Sequence, residues 1–294
     1  MEYQTTLTTI TVTSNQSQPD SALNGLKLTL SYDKVSKEIN WTNTPQSVNI
    51  PTGIEYTITG ENIEGYKTPN PLSQIAEGTS GTATLSYNTT VLSIEVTSNQ
   101  SDDLDSLTVT VNFDSKDHQL QFNGKETKSI NVPTGSEFTI TFSEVTGYKT
   151  PDAISGTANS ASKNETGTYQ SEFLTVNVSG ASGYTITVSG QGSQTTSPKV
   201  YKIPFGTSYN ISASNVKGYN TPATQSFTAN QVSRSVTMTY TKIANGVYIC
   251  DSDGKLTAVG SWNTGNNSKA VGVAVVSDKC SFIIDKTNSN NSIQ

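Results

Sequence analysis

The chain has 294 residues, of which 32% are hydrophobic and 14% charged, with a net charge of −6 and a pI near 4.9. The acidic balance disfavours a nucleic-acid partner, which needs a basic surface. The longest apolar runs, such as residues 271–276, fall far short of the ~20 residues that span a bilayer.

Ser, Thr, Asn, Gln and Gly fill the place of the missing charge, a composition that suits small, exposed β-domains with thin cores. The chain opens Met1-Glu2-Tyr3-Gln4-Thr5-Thr6, with neither a basic n-region nor an apolar h-region, so no secretory leader is expected.

Strands are expected from residue 7 onward. Residues 7–12 and 26–32 alternate apolar and polar side chains, the period of a half-buried strand. Next come Asn49-Ile50-Pro51-Thr52-Gly53-Ile54-Glu55-Tyr56-Thr57-Ile58 and then Gly65-Tyr66-Lys67-Thr68-Pro69, and residues 82–87 close the unit. The same order follows twice more. Residues 92–96 and 107–113 lead to Asn131-Val132-Pro133-Thr134-Gly135-Ser136-Glu137-Phe138 and Gly147-Tyr148-Lys149-Thr150-Pro151, with residues 165–169 closing. Residues 174–178 and 184–188 lead to Lys202-Ile203-Pro204-Phe205-Gly206-Thr207-Ser208-Tyr209 and Gly218-Tyr219-Asn220-Thr221-Pro222, with residues 235–240 closing.

The first Pro and the later Gly stand 14 residues apart in every copy (51 to 65, 133 to 147, 204 to 218), while the copies start 82 and 71 residues apart. Pro-x-Gly is turn chemistry, with Pro presetting φ and Gly taking a positive φ. The aromatic of the strand that follows is expected in the core. The Tyr after the later Gly is expected to pack across the end of the sandwich, and the next Pro to mark an irregular or edge segment. A period this long lets each copy close its own core. The copies are therefore expected as beads in an extended rod, with short linkers at 87–91, 170–173 and 241–245.

The last stretch breaks the pattern. Gly246-Val247-Tyr248-Ile249-Cys250 and a Ser252-Asp253-Gly254 turn read as a hairpin, followed by strands near 271–276 and 281–284 and a polar tail from Lys286 to Gln294. A unit of roughly 45 residues sits near the lower limit for a self-sufficient core, which raises the expectation of a partner chain or a continuation. The fold class is therefore all-β: three tandem immunoglobulin-like sandwiches at 1–90, 91–171 and 172–242, and a distinct β module at 243–294.

Few residues carry chemistry. His118, the single histidine, is expected in a surface loop, and no Gly-x-Ser-x-Gly elbow accompanies it. Asp251-Ser252-Asp253-Gly254 opens like a calcium loop, but no Glu closes it at its twelfth position, next to Asn263, which favours an Asp-Gly hairpin turn. Asp102-Asp103-Leu104-Asp105 aligns with Ser17-Gln18-Pro19-Asp20 and reads as a solvated turn. Cys250 and Cys280 are open to burial as small residues, to a disulfide, or to metal binding. Trp41 and Trp262 are read first as core or interface side chains and second as sugar-stacking rings. Asn40, Asn88, Asn164 and Asn210 sit in Asn-x-Ser/Thr triplets that composition alone explains. No catalytic, cofactor-binding or metal residue is assigned, and no enzymatic activity is expected.

The Pro-x-Gly strand followed by Gly-Tyr resembles small sandwich repeats of the PEGA and related immunoglobulin-like kinds, three times over residues 7–241. The C-terminal segment resembles a module of virion and prophage fibre proteins of Bacteroidales phages, including crAss-like phages. It does so through Gly246-Val247-Tyr248-Ile249, Asp253-Gly254-Lys255-Leu256, Trp262, Gly272-Val273-Ala274-Val275-Val276 and Ser281-Phe282-Ile283-Ile284. In those proteins the module often leads into a C-type-lectin-like receptor-binding domain, which is not present in these 294 residues. The resemblance implies a virion protein, a head or tail fibre or decoration component, homodimeric or homotrimeric. Its expected partners are other capsid or tail proteins and a host surface glycan or receptor. A bacterial surface adhesin or carbohydrate-binding array is the alternative.

Overall fold

The computed structural model describes residues 4–102, 104–253, 255–262, 268–277 and 281–285. Among these residues no α-helix appears. The chain forms two compact units, residues 1–170 and 171–294.

The first unit holds two sandwiches. In the first, strands β1 (Thr5–Ser14), β2 (Lys27–Tyr32), β3 (Val35–Asn40), β4 (Gln46–Pro51), β5 (Glu55–Gly60), β6 (Leu72–Ile75) and β7 (Ser80–Tyr87) form sheets ordered β4-β1-β7 and β3-β2-β5-β6. The second repeats this with β8 (Thr89–Ser98), β9 (Ser106–Phe113), β10 (Lys116–Asn123), β11 (Thr127–Pro133), β12 (Glu137–Phe142), β13 (Ile154–Thr157) and β14 (Ser162–Tyr169), ordered β11-β8-β14 and β10-β9-β12-β13. In each, the first strand runs parallel to the last, and the other pairings are antiparallel.

The second unit holds the third sandwich. Its strands are β15 (Ser171–Ser179), β16 (Ile186–Val188), β17 (Gly192–Gln194), β18 (Lys199–Pro204), β19 (Ser208–Ala213), β20 (Tyr219–Asn220), β21 (Gln225–Thr228) and β22 (Ser233–Thr239). They form sheets β18-β15-β22 and β17-β16-β19-β21, while β20 pairs with β23 (Thr241–Lys242). After it, β24 (Gly246–Asp251), β25 (Leu256–Ala258), β26 (Ala270–Val276) and β27 (Ser281–Asp285) build one antiparallel sheet ordered β25-β24-β26-β27. The all-β tandem-sandwich class thus holds. The expected hairpin with two further strands is also present.

Each copy has its own hydrophobic cluster: Ile10 to Tyr87, Leu92 to Tyr169 and Leu174 to Tyr240. The aromatics Tyr56, Phe138 and Tyr209 lie inside these clusters, at 3%, 2% and 4% exposure. Trp41 is buried in the first core, and Trp262 is half-buried. The outer sheet faces carry hydroxyl pairs across strands, such as Thr57–Ser73, Ser93–Ser129 and Thr139–Ser155. Such cross-strand pairs stabilise a solvated face without charge, which accounts for the Thr- and Ser-rich composition.

The turn motif works as expected. Gly53, Gly135 and Gly206 have φ of 85°, 95° and 81°. Their amides donate to Ala76, Ala158 and Ala229 carbonyls at 2.7, 2.6 and 2.8 Å, pinning the start of the strand to the far end of its sheet. Pro69, Pro151 and Pro222 fall outside strands.

Two structural roles were not apparent from pattern alone. The last residue of each closing segment, Tyr87, Tyr169 or Tyr240, is at most 2% exposed. Its hydroxyl donates to a carbonyl 26 residues upstream, Glu61, Ser143 or Ser214, at 2.8, 2.6 and 2.7 Å. A buried phenol so anchored joins the closing strand to the loop after β5, β12 or β19.

The other role is a buried polar position at the start of the first strand. Thr6 and Thr90 donate to the Gly78 and Ser160 carbonyls at 2.8 and 2.5 Å, holding the loop before the closing strand. In the third copy the position is Glu172, whose side chain is 0% exposed. It accepts from the Asn230 and Gln231 amides at 2.8 and 2.9 Å, and from Arg234 Nε at 2.6 Å. All three residues hold the same loop; the third adds an ion pair.

Candidate functional site: the junction between the first two sandwiches

The expected linker at 87–91 is not a linker. β7 ends at Tyr87 and β8 begins at Thr89, leaving Asn88 as the single residue between them. The repeated Gly-Tyr-x-Thr-Pro segment grips that residue: the Lys67 amide donates to the Asn88 carbonyl at 2.8 Å, and the Thr134 amide reaches it at 3.3 Å. The end of the second sandwich is held alike, with the Lys149 amide on the Gln170 carbonyl at 2.8 Å. The motif is therefore a clamp on the outgoing chain as well as a turn.

Around Asn88 the contacts are dense. Thr89 is fully buried, and its hydroxyl lies 2.6 Å from the Gly65 carbonyl and 3.2 Å from that of Val132. Asn15 forms a reciprocal pair with Thr89, accepting its amide at 2.9 Å and donating to its carbonyl at 2.8 Å. Gln16 Nε2 reaches the Ala161 carbonyl at 3.0 Å, on the second sandwich.

Tyr66 is 4% exposed and packs at the sandwich end, as its position after Gly65 implied. Its hydroxyl donates to Asp20 at 3.0 Å and accepts from Asn131 Nδ2 of the second sandwich at 3.3 Å. Burial, and then the Asp20 acceptor and charge, push its pKa up to about 12.

The second copy repeats the tyrosine–aspartate pair, with Tyr148 donating to Asp102 at 3.1 Å. This corrects the reading of the Asp102 turn as merely solvated. Asp103 itself lies outside the described residues. The signal was present as a recurring 46-residue offset, Asp20 to Tyr66 and Asp102 to Tyr148.

His118 is likewise corrected. It lies in β10, not in a loop, and its side chain is 17% exposed. The ring stacks on Phe113 with centroids 4.1 Å apart and planes 9° apart. Its Nδ1 sits 3.5 Å from Glu64 Oε1, on the first sandwich. Glu64, Tyr66, Phe113, His118 and Pro133 help line a cleft of about 90 Å³ at this seam. Its surroundings are an aromatic ring and a carboxylate from the facing sandwich, so its role is contact across the seam.

Gly65 sets the closeness of the approach. Its φ is +81°, and a Cβ there would lie 2.8 Å from both Cβ and O of Asn131. Gly65→Ala is therefore expected to push the sandwiches apart while leaving each core intact, costing about 1–3 kcal/mol through the strained φ and the lost contacts. Limited proteolysis near Asn88 checks it. An unchanged cleavage rate there would remove Gly65 from the seam.

The remaining candidates resolve locally. Asp251 Oδ1 accepts the Asp253 and Lys255 amides at 3.1 and 2.8 Å, which is turn chemistry. Gly254 and Asn263 lie outside the described residues. Cys250 is buried, and burial first, then the Asp251 charge, raise its thiol pKa. Its suggested partner Cys280 and the tail from Lys286 lie outside the described residues.

No protein-family model matches the chain, and no curated protein matches it. Solved structures do. The chain is similar to the Bacillus anthracis TIE protein at 12% identity and a TM-score of 0.30, over 81% of this chain and 51% of that one. It is similar to the pilus adhesin SpaC of Lactobacillus rhamnosus GG at 10% identity and a TM-score of 0.37, over 82% and 43%. A third similarity is to the major pilin T-13 of Streptococcus pyogenes, at 14% identity and a TM-score of 0.30, over 57% and 97%. The chain thus spans about half the length of the first two.

Proposed function

We propose that this chain is a non-enzymatic structural protein: a modular spacer of a phage virion, in a head or tail fibre or decoration component, that carries an attachment module towards the host surface. The observation that carries this reading is the seam between the first two sandwiches. Its motif residues are spent on clamping one sandwich to the next, through Gly65, Tyr66, Thr89 and Asn131. That is what a load-transmitting spacer needs and what a catalytic domain does not. The sequence resemblance of the C-terminal segment to Bacteroidales phage fibre modules supports the virion assignment, and other virion proteins and further copies of this chain are then its partners.

Mass spectrometry of purified particles is expected to find the chain at tens of copies or more, with immunogold label at one site on the particle. Its absence from particles, together with label on the bacterial surface, would transfer the protein to the adhesin class.

A further inference from the structure

The Gly-Tyr segment meets different surroundings in the first and third copies. In the first, the next sandwich presses on it, and the clefts left beside it measure about 90 and 360 Å³. In the third, a Cβ on Gly218 would find nothing within 4 Å. Above it lies an open cleft of about 650 Å³, between the segment after β19 and the β24–β25 hairpin. That size falls in the range of small-ligand sites, roughly 300–1,000 Å³. Here the motif still holds the outgoing chain through β20 and β23, but no further sandwich covers it, and the Lys217 and Asn220 side chains are exposed.

We propose that this cleft binds a short glycan bearing a carboxylate. The floor is apolar, formed by Val216, Leu256 and the half-buried ring of Tyr219. Such a floor suits the C–H face of a sugar ring. The Tyr219 backbone is held by its amide on the Val216 carbonyl at 3.1 Å, and the Gly218 carbonyl accepts from the Ile243 amide at 2.9 Å, so the platform is preorganised.

Two carboxamides on the wall are half-used, in complementary ways. Asn215 Oδ1 accepts from the Thr221 hydroxyl, which leaves its Nδ2 to donate. Asn220 Nδ2 donates to Thr241 at 3.2 Å, which leaves its Oδ1 to accept. A sugar hydroxyl both donates and accepts, and so matches this pair.

The charges choose among glycans. Among the described residues, Lys217 and Lys255 line the cleft with Asp253 as the only carboxylate, a local balance of +1 on a chain of net −6. Neither lysine forms an ion pair with a described residue. Lys217 stands where the first copy has Glu64, one residue before the Gly. Paired exposed ammonium groups above a sugar platform recognise a carboxylate. A peptide would want a free strand edge or deep apolar pockets instead.

The inference deepens the attachment role proposed above, but its test stands apart from the virion assignment. Saturation-transfer NMR and calorimetry on the full chain would use tetragalacturonate as the acidic probe and galactotetraose as its neutral counterpart. Tetragalacturonate is expected to bind with Kd of order 0.1–1 mM, and galactotetraose about tenfold more weakly. Lys217→Glu and Lys255→Glu change exposed side chains and should leave the melting temperature unchanged. Each is expected to weaken tetragalacturonate binding about tenfold, and Tyr219→Ala to abolish saturation transfer. The proposal is overturned by absence of transfer from tetragalacturonate, by equal binding of the neutral sugar, or by binding that the two lysine variants leave intact. Selection of a peptide by this cleft in place of either sugar overturns it too. Failure here leaves the particle mass spectrometry untouched, and the reverse also holds.

Discussion

Arg234→Ala is expected to lower the unfolding free energy of residues 171–294 by about 3–5 kcal/mol, the usual cost of stranding one member of a buried ion pair. Glu172 is fully enclosed, and Arg234 Nε at 2.6 Å supplies its countercharge. Arg234 also reaches Thr228 and Asn230 at 3.3 and 3.0 Å and lies 4.4 Å over the Phe227 ring. Its truncation thus loosens the loop that Glu172 holds.

The repeat supplies the rescue. Where the third copy has Glu172 and Arg234, the second has Thr90 and Lys163: Leu174 faces Arg234 as Leu92 faces Lys163. The double change Glu172→Thr with Arg234→Lys keeps a loop-holding hydroxyl and removes the buried carboxylate. It is expected to remain within about 1–2 kcal/mol of the native chain, as replacing a whole buried pair generally does. Urea unfolding of both variants, followed by circular dichroism, decides the matter. Equal losses in the single and the double variant would mean that the ion pair itself is not what Arg234 provides.

The second large effect appears at high pH. Burial pushes Tyr87 and Tyr169 up to about 12, with the Glu61 charge adding to the effect on Tyr87. Tyr66 joins them at about 12 through burial and Asp20. In the unfolded chain a tyrosine loses its proton near pH 10. Between those values the native state binds more protons than the unfolded state, so the unfolding free energy falls as pH rises. The contribution is fully present below pH 10 and gone above pH 12. A two-unit difference is worth about 3 kcal/mol for each tyrosine, so residues 1–170 should lose most of their stability across that window.

Phenol ionisation followed at 295 nm should coincide with the loss of β signal rather than precede it. Tyr87→Phe with Tyr169→Phe costs about 1–2 kcal/mol at neutral pH, from the unpaired Glu61 and Ser143 carbonyls, yet should flatten the alkaline slope. A slope as steep as the native one in the double variant would assign the alkaline loss to other groups.

The sequence determined a great deal of this protein. Period-2 alternation placed the first, second and closing strands of every copy. The fixed 14-residue spacing located the Pro-x-Gly turn and the later Gly, because turn geometry depends on residues adjacent in the chain. The core aromatics Tyr56, Phe138 and Tyr209 followed from the same alternation.

What the sequence left open are pairings at long range. Whether Tyr87 meets Glu61, or Thr89 meets Gly65, depends on how two sheets stack, and no local pattern encodes that distance. β1 makes the point in one strand: its buried residues include Thr6 and Thr8, while Leu7 is 45% exposed. Ile10 and Val12 set the buried face and carry Thr6 and Thr8 inward with them, which leaves Leu7 outside, and the Gly78 carbonyl takes the Thr6 hydroxyl. His118 left its expected loop because β10 begins two residues earlier and a neighbouring sandwich covers the ring. The linker at 87–91 disappeared for a related reason. Polar Asn88 and Thr89 look like connector residues in sequence, yet the tertiary structure uses their hydrogen-bonding capacity to bind two sandwiches into one unit.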